Sequence, residues 1–246
     1  MTYLKINKKY ILLLLLSVLS LTASLLWSVT SSKTASKEGP LYDTIITQKK
    51  IPPYSICMYD NMFHEYADTL GWDWKWLAAV AYIESRFNAD AENPSGAFGL
   101  MQLMPKTAEA MGIDSLHRYD PYMSVRAAAR LFKRLDTRFE SVPMPDRVCF
   151  VLASYNAGHG HILDAIRLAK KHGANAQRWY GNVEFFLQMK NDPAYYNDTV
   201  CHNGRFSGLE TVAFVKNVQK KYDEYSQLED LYFSIQEPDT ILIPKK

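Results

Sequence analysis

Ala81-Tyr82-Ile83-Glu84-Ser85-Arg86-Phe87 runs at once into a turn, Asn88 to Gly96, and then into Ala97-Phe98-Gly99-Leu100-Met101-Gln102-Leu103-Met104-Pro105. Leu77, Val80 and Ala81 recur at helical spacing and carry one acid, Glu84, into the last turn of a helix. Asn, Asp, Pro and Gly then break the pattern, and a second helix starts near Gly99 or Pro105 with several polar groups close behind. A chain built this way sets a single carboxyl group in the wall of a cleft. The same residues also admit a plainer reading, in which Glu84 pairs with Arg86, Lys75 or another base at the helix end.

Outward from this stretch the pattern is helix after helix. Residues 59–70 place Met62, Phe63, Tyr66 and Leu70 at helical spacing and stop at Gly71, a residue suited to a C-cap. Asp73 opens the helix that leads to Glu84, with Trp74, Leu77, Ala78 and Ala81 at helical spacing. Further helices are predicted over residues 107–111, 124–139, 146–155 with Asp146 as its cap, 161–172, 183–189 and 208–224. No alternating run of strand length follows residue 54. The fold class is therefore all-α, with one helical domain over residues 54–226 and a peripheral tail over residues 227–246.

Lys5, Lys8 and Lys9 precede a run from Ile11 to Val29 that is apolar except for Ser and Thr. A basic flank before such a run directs export. Residues 1–30 are expected to be a signal sequence or a single membrane anchor. An uncleaved anchor is favoured because Thr22-Ala23-Ser24 offers only part of a cleavage site. The rest of the chain then belongs outside the cytoplasm. Residues 31–53, rich in Ser, Lys and Pro, read as a linker, with a brief strand-like stretch at 41–46. Cys57, Cys149 and Cys201 suit an exported chain that pairs two and leaves one free, and their spacing matches no thiol redox or zinc motif.

A formal charge of only +2, from 28 basic and 26 acidic residues, makes no case for a nucleic-acid partner. The load of 16 Tyr, 11 Phe and 5 Trp suits a cleft that stacks sugar rings, and it serves an ordinary core equally well.

Two further segments carry polar groups at helix termini. In Leu152-Ala153-Ser154-Tyr155-Asn156-Ala157-Gly158 a phenol and an amide emerge at a helix end, or else Tyr155 edges the core and Asn156 caps the helix. In Gly208-Leu209-Glu210-Thr211-Val212-Ala213-Phe214-Val215 an acid opens a helix, where favouring the dipole is sufficient reason for it.

These segments together resemble the catalytic domain of the soluble-lytic-transglycosylase (SLT) family, which has a goose-type-lysozyme-like fold, and more narrowly the catalytic half of the membrane-bound lytic murein transglycosylase F group. Glu84-Ser85 resembles the family's Glu-Ser element, residues 96–105 its Gly-Leu-Met-Gln signature, Tyr155-Asn156-Ala157-Gly158 its Tyr-Asn-Ala-Gly element, and Glu210-Thr211 its Glu-Thr element. The likeness covers about residues 60–225, with the motifs in the family's order. Phe214 stands where the family usually has Tyr, and Ala89 where it often has Pro.

The resemblance implies cleavage of peptidoglycan glycan strands at the β-1,4 bond between N-acetylmuramic acid and N-acetylglucosamine, without water, giving a 1,6-anhydro product. Glu84 serves as acid and then as base, with no cofactor and no metal. Ser95, Gln102, Tyr155 and Asn156 are implied to contact substrate, and Met101 to supply an apolar wall. Ser85, Gly96, Gly99, Glu210 and Phe214 are expected in supporting places, Glu210 by tying the last helix to the core. Phe98, Trp179 and Tyr180 are candidate stacking residues for outer sugars. His159 and His161 read as surface-loop histidines rather than metal ligands. Two alternatives stay open at this point. One is a muramidase in which Asp90 or Glu92 activates a water, and the other is a glycan-binding protein with weak or no catalysis.

Overall fold

The computed structural model describes residues 54–236, and among them the regular elements are all helical. Helix α1 is Asp60–Leu70 and closes at Gly71, whose left-handed backbone (φ 70°) lets its N–H donate to the Ala67 carbonyl. Helix α2, Trp74–Ser85, starts where the Asp73 carboxylate accepts the Lys75 N–H at 3.0 Å. Then follow α3 (Pro105–Ala110), α4 (Pro121–Arg138), α5 (Asp146–Ala157), α6 (His159–Lys171), α7 (Glu184–Met189), α8 (Pro193–Tyr196) and α9 (Leu209–Gln236). The expected signal or anchor, the linker and residues 237–246 lie outside the described residues. Among the described residues no helix is long and apolar enough to cross a membrane.

Two helices form the centre. Leu77 through Ala81 in α2 are fully buried, and the run of Ala lets α1 and α9 pack closely on either side. In α5, Val148 through Ser154 are buried against α4, α6 and α9. Each of these helices ends in one of the polar motifs, so burying the apolar faces brings the two motif-bearing ends to the same cleft.

Three elements differ from expectation. Helix α9 passes residue 224 and runs on to Gln236, because its second half has tertiary partners. Lys75 donates to Glu229 at 2.6 Å, and the Tyr54 ring lies 5.9 Å from that of Tyr232. Helix α8, absent from the expected pattern, is a single turn begun by Pro193 and capped by Asp192. Asp146 does not cap α5. Its carboxylate accepts the Trp179 N–H at 2.7 Å and pairs with Arg178 at 3.2 Å, fixing the turn that precedes α7.

Gly208 meets this turn-rich side just before α9. A Cβ built on it would lie 2.4 Å from the Leu187 carbonyl oxygen, a backbone atom with no rotamer to yield. Gly208→Ala is expected to cost about 1–3 kcal/mol by overpacking, read as a lower denaturation midpoint at unchanged slope. An unaltered midpoint would show that the α7 end moves aside freely.

Candidate active site

The end of α2 is abrupt for a reason the composition hides. Arg86 (φ 56°) and Phe87 (φ 63°) are both left-handed without being Gly, a conformation costing roughly 1–2 kcal/mol per residue. Packing offsets this. The Arg86 guanidinium lies 4.4 Å from the Tyr82 ring centroid, and the Phe87 ring is 5.6 Å from Tyr82 and 6.4 Å from Phe63. The chain therefore turns away one residue after Ser85 and leaves Glu84 in the final turn, in the lining of a cleft.

Opposite it, the loop from residue 88 to 104 is held by side chains from three helices. Ser85 Oγ of α2 donates to the Leu100 carbonyl at 2.7 Å. Ser124 Oγ of α4 accepts the Met101 N–H at 3.1 Å. The Tyr155 hydroxyl of α5 donates to the Met101 carbonyl. Within the loop, Asn93 Oδ1 accepts the N–H groups of Ser95 and Ala97, and Gln102 Nε2 donates to the carbonyls of Ala91 and Gly99. Loop and helix ends enclose a cleft of about 390 Å³ whose lining includes Glu84, Gln102, Leu103, residues of α4, Tyr155 and Asn156.

Glu84 is the single acid among the described residues that line this cleft. No hydrogen bond or ion pair from a described residue reaches its carboxyl. The bases offered as plainer partners are engaged elsewhere, Lys75 with Asp73 at 2.8 Å and with Glu229, and Arg86 on Tyr82. Burial among apolar neighbours pushes its carboxyl up to about 8, so the acid is protonated at neutral pH.

The raised value fixes a sign for stability. A carboxyl that holds its proton to about pH 8 when folded and releases it near 4.5 when unfolded makes the native state less stable as pH rises across that window. Glu84→Gln never ionises, so it is expected to melt close to the parent at pH 4 and well above it at pH 8–9, by an order of a few kcal/mol. A constant difference across that range would contradict the desolvated carboxyl.

Residues 61–177 match the family model described as Transglycosylase SLT domain. The chain carries a transglycosylase SLT domain. It is 39% identical over 166 residues to the membrane-bound lytic murein transglycosylase F of Marinobacter nauticus, covering 67% of this chain and 32% of that protein. To the protein of the same description from Shewanella loihica it is 40% identical over 166 residues, covering 67% and 33%. The chain thus spans about a third of the length of these curated relatives. Among solved structures, an inactive mutant of lytic transglycosylase Slt from Pseudomonas aeruginosa aligns with a TM-score of 0.47 at 22% identity, over 70% of this chain and 24% of that one.

Within the SLT domain the motif residues divide into groups. Glu84, Gln102, Tyr155 and Asn156 line the cleft together. Gln102 spends its amide N–H groups on the loop, which leaves its oxygen for a ligand. The Asn156 oxygen accepts the Thr211 hydroxyl at 2.8 Å, which leaves the Asn156 amide N–H groups for one. Ser85 is buried and holds the Leu100 carbonyl of the loop, and Phe214 is buried on α9. Gly99 (φ 76°) could take a Cβ only at 3.3 Å from the Arg118 carbonyl and Ser124 Oγ, so its close approach is to the protein's own loop rather than to open cleft. Gly96 is also left-handed, at φ 85°.

Several assignments are corrected. Ser95 is exposed on the loop and is not among the cleft-lining residues. Met101 is fully buried in the core and contributes its backbone, and the apolar wall is Leu103 with Met104. Glu210 is exposed and makes no hydrogen bond to the core, because the tie between the last helix and the Tyr-Asn motif is the neighbouring Thr211. Trp179 is fully buried against Phe150, and Phe98 is buried beneath the Arg118 guanidinium at 4.3 Å, so neither is offered to the Glu84 cleft. Tyr180 is exposed on a separate depression. His159 is half-buried in the cleft wall, and His161 packs on Phe206 with Nδ1 3.2 Å from Lys190 Nζ. Cys57, Cys149 and Cys201 are all unpaired.

The cleft also holds residues that no motif announced. Arg134 and Arg138 border it from α4, and Ser154 Oγ is buried there without a hydrogen-bond partner. Their signal is helical phase. Leu131, Arg134, Leu135 and Arg138 recur at three and four residues and share one face.

Proposed function

We propose that this SLT domain is a lytic murein transglycosylase that cuts peptidoglycan glycan strands between N-acetylmuramic acid and N-acetylglucosamine without consuming water. The observation that carries the reading is a single, desolvated and unpaired carboxyl group in the cleft. Glu84, protonated at neutral pH, donates to the glycosidic oxygen as the bond from muramic C1 to that oxygen breaks. Positive charge spreads over C1 and the ring oxygen, assisted by the sugar's own acetamido group. The Glu84 carboxylate then takes the proton of the C6 hydroxyl, and O6 closes on C1 to give the 1,6-anhydro sugar. Glu84 ends protonated, ready for the next bond. Gln102 Oε1 and the Asn156 amide are the groups we assign to holding substrate amide and hydroxyl groups, an assignment supported by their shared place in the cleft lining.

A glycosidase that uses water needs a second carboxyl group, about 6.5–9.5 Å away for inversion or about 5–5.5 Å for retention. Asp90 and Glu92 do not meet that need. Asp90 is exposed on the loop, and Glu92 is bound to Arg118 and Tyr119, each at 2.8 Å. Neither lines the cleft. We place the catalytic unit at residues 54–226 together with the rest of α9, and the anchor or signal in residues 1–30, on the periplasmic side of the envelope. Mass spectrometry of fragments released from purified sacculi tests the activity. Anhydromuropeptides are expected, and fragments with reducing ends would assign a muramidase.

A further inference from the structure

We propose that Arg134 and Arg138 form an anion subsite within the Glu84 cleft that takes a carboxylate carried by the glycan substrate, an inference that rests on the reading above. The two arginines lie one turn apart on α4 and both line the cleft. Both are exposed, and neither has a hydrogen bond or ion pair to a described residue. Most other arginines of the domain are committed. Arg118 pairs with Glu92, Arg167 with Asp164 and Arg178 with Asp146, while Arg130 and Arg147 donate to backbone carbonyls. The acid nearest in sequence, Asp136, faces Arg147 at 3.8 Å instead.

Like charges at this spacing repel, so an unshared pair weakens the isolated helix and gains its use from an anion between them. The rest of the lining supplies none. Glu84 is its single acid and is protonated at neutral pH, and His159 is kept neutral by burial and by the charge of Arg138. The cleft thus presents two positive charges against no fixed negative one. Planar guanidinium groups bind carboxylates in paired hydrogen bonds. Peptidoglycan offers that chemistry in two forms, the carboxylates of the stem peptide and the lactyl carboxylate freed where the peptide has been removed.

The test uses full-length Glu84→Gln protein, so that strands are bound and not cut. Its affinity is measured for glycan strands with intact stem peptides, for the same strands with carboxyls amidated, for strands stripped of peptide, and for an oligomer of N-acetylglucosamine. Adding Arg134→Gln and Arg138→Gln is expected to weaken binding of carboxylate-bearing strands at least tenfold and flatten its salt dependence. Binding of the amidated strands and of the uncharged oligomer is expected to stay the same. The Lys pair, Arg134→Lys with Arg138→Lys, should restore part of the loss, which separates charge from folding. Loss with peptide-bearing strands alone assigns the stem peptide, and loss with stripped strands alone assigns the lactyl group. In the catalytic background the Gln pair should raise KM more than it lowers kcat. Equal weakening for the uncharged oligomer, or none for any ligand, overturns the subsite. The binding arms stand apart from turnover: a protein that shows this pattern of binding but releases no anhydro product keeps the subsite and loses the transglycosylase activity.

Discussion

Glu84→Gln is expected to lower the release of anhydromuropeptides by roughly 10²–10⁴-fold or more, because in the proposed reaction one group supplies both the proton that leaves with the glycosidic oxygen and the base that activates O6. Gln keeps the shape of the side chain and can neither donate nor accept that proton. The variant is expected to fold, to melt higher than the parent at pH 8 and to sediment with sacculi as the parent does. Loss of activity then isolates chemistry from binding. The pH profile of the parent sharpens the point. Activity should fall as pH rises through about 8, where Glu84 loses the proton it must donate. With no second carboxylate in the cleft, no rising limb near the ordinary carboxylate range is expected. A bell with such a limb would place a second acid in the reaction.

Asp164→Ala is expected to destabilise the domain by roughly 3–5 kcal/mol. Asp164 and Lys190 are both fully buried and paired. The same carboxylate also pairs with Arg167 and accepts the N–H groups of His202 and Asn203, each at 2.9 Å. Burial opposes its ionisation, but Lys190 and these donors outweigh that and hold its carboxyl well below the usual range. Removing it leaves a buried ammonium without a counter-charge and frees the segment around residues 200–206, so the loss should appear both in the denaturation midpoint and as faster amide exchange there. Lys190→Met should cost less, since Arg167 and the backbone donors still face Asp164. Equal costs for the two would mean that the segment is held by other contacts.

Local rules set the features that were legible in the sequence. Asp73 caps α2 where its spacing to the next apolar run requires it, and Gly71 closes α1, whereas the Asp120 cap starts α4 at Pro121, ahead of the expected residue 124. The motif ends of α2 and α5 could be recognised as polar groups at helix termini, and the domain brings Glu84, Gln102, Tyr155 and Asn156 to one cleft. What was hidden depends on tertiary context. Arg86 and Phe87 are ordinary helix residues by composition and turn left-handed because aromatic packing holds them there. Met101 has the look of a cleft wall, but its backbone is clamped by Ser124 and Tyr155, which turns its side chain into the core. Glu210 and Thr211 are adjacent, and only the helix phase decides that the hydroxyl reaches Asn156 and the acid faces solvent. Buried pairing between Asp164 and Lys190, far apart in the chain, has no local signature at all.

In the proposed reaction Glu84 works alone and water takes no part in bond cleavage. Digestion of purified sacculi in water enriched with heavy oxygen tests it directly, with mass spectrometry of the released muropeptides. The expected products are 1,6-anhydro sugars, each lighter by one water than its reducing counterpart and free of heavy oxygen at muramic C1. Reducing-end products that carry the label would contradict it.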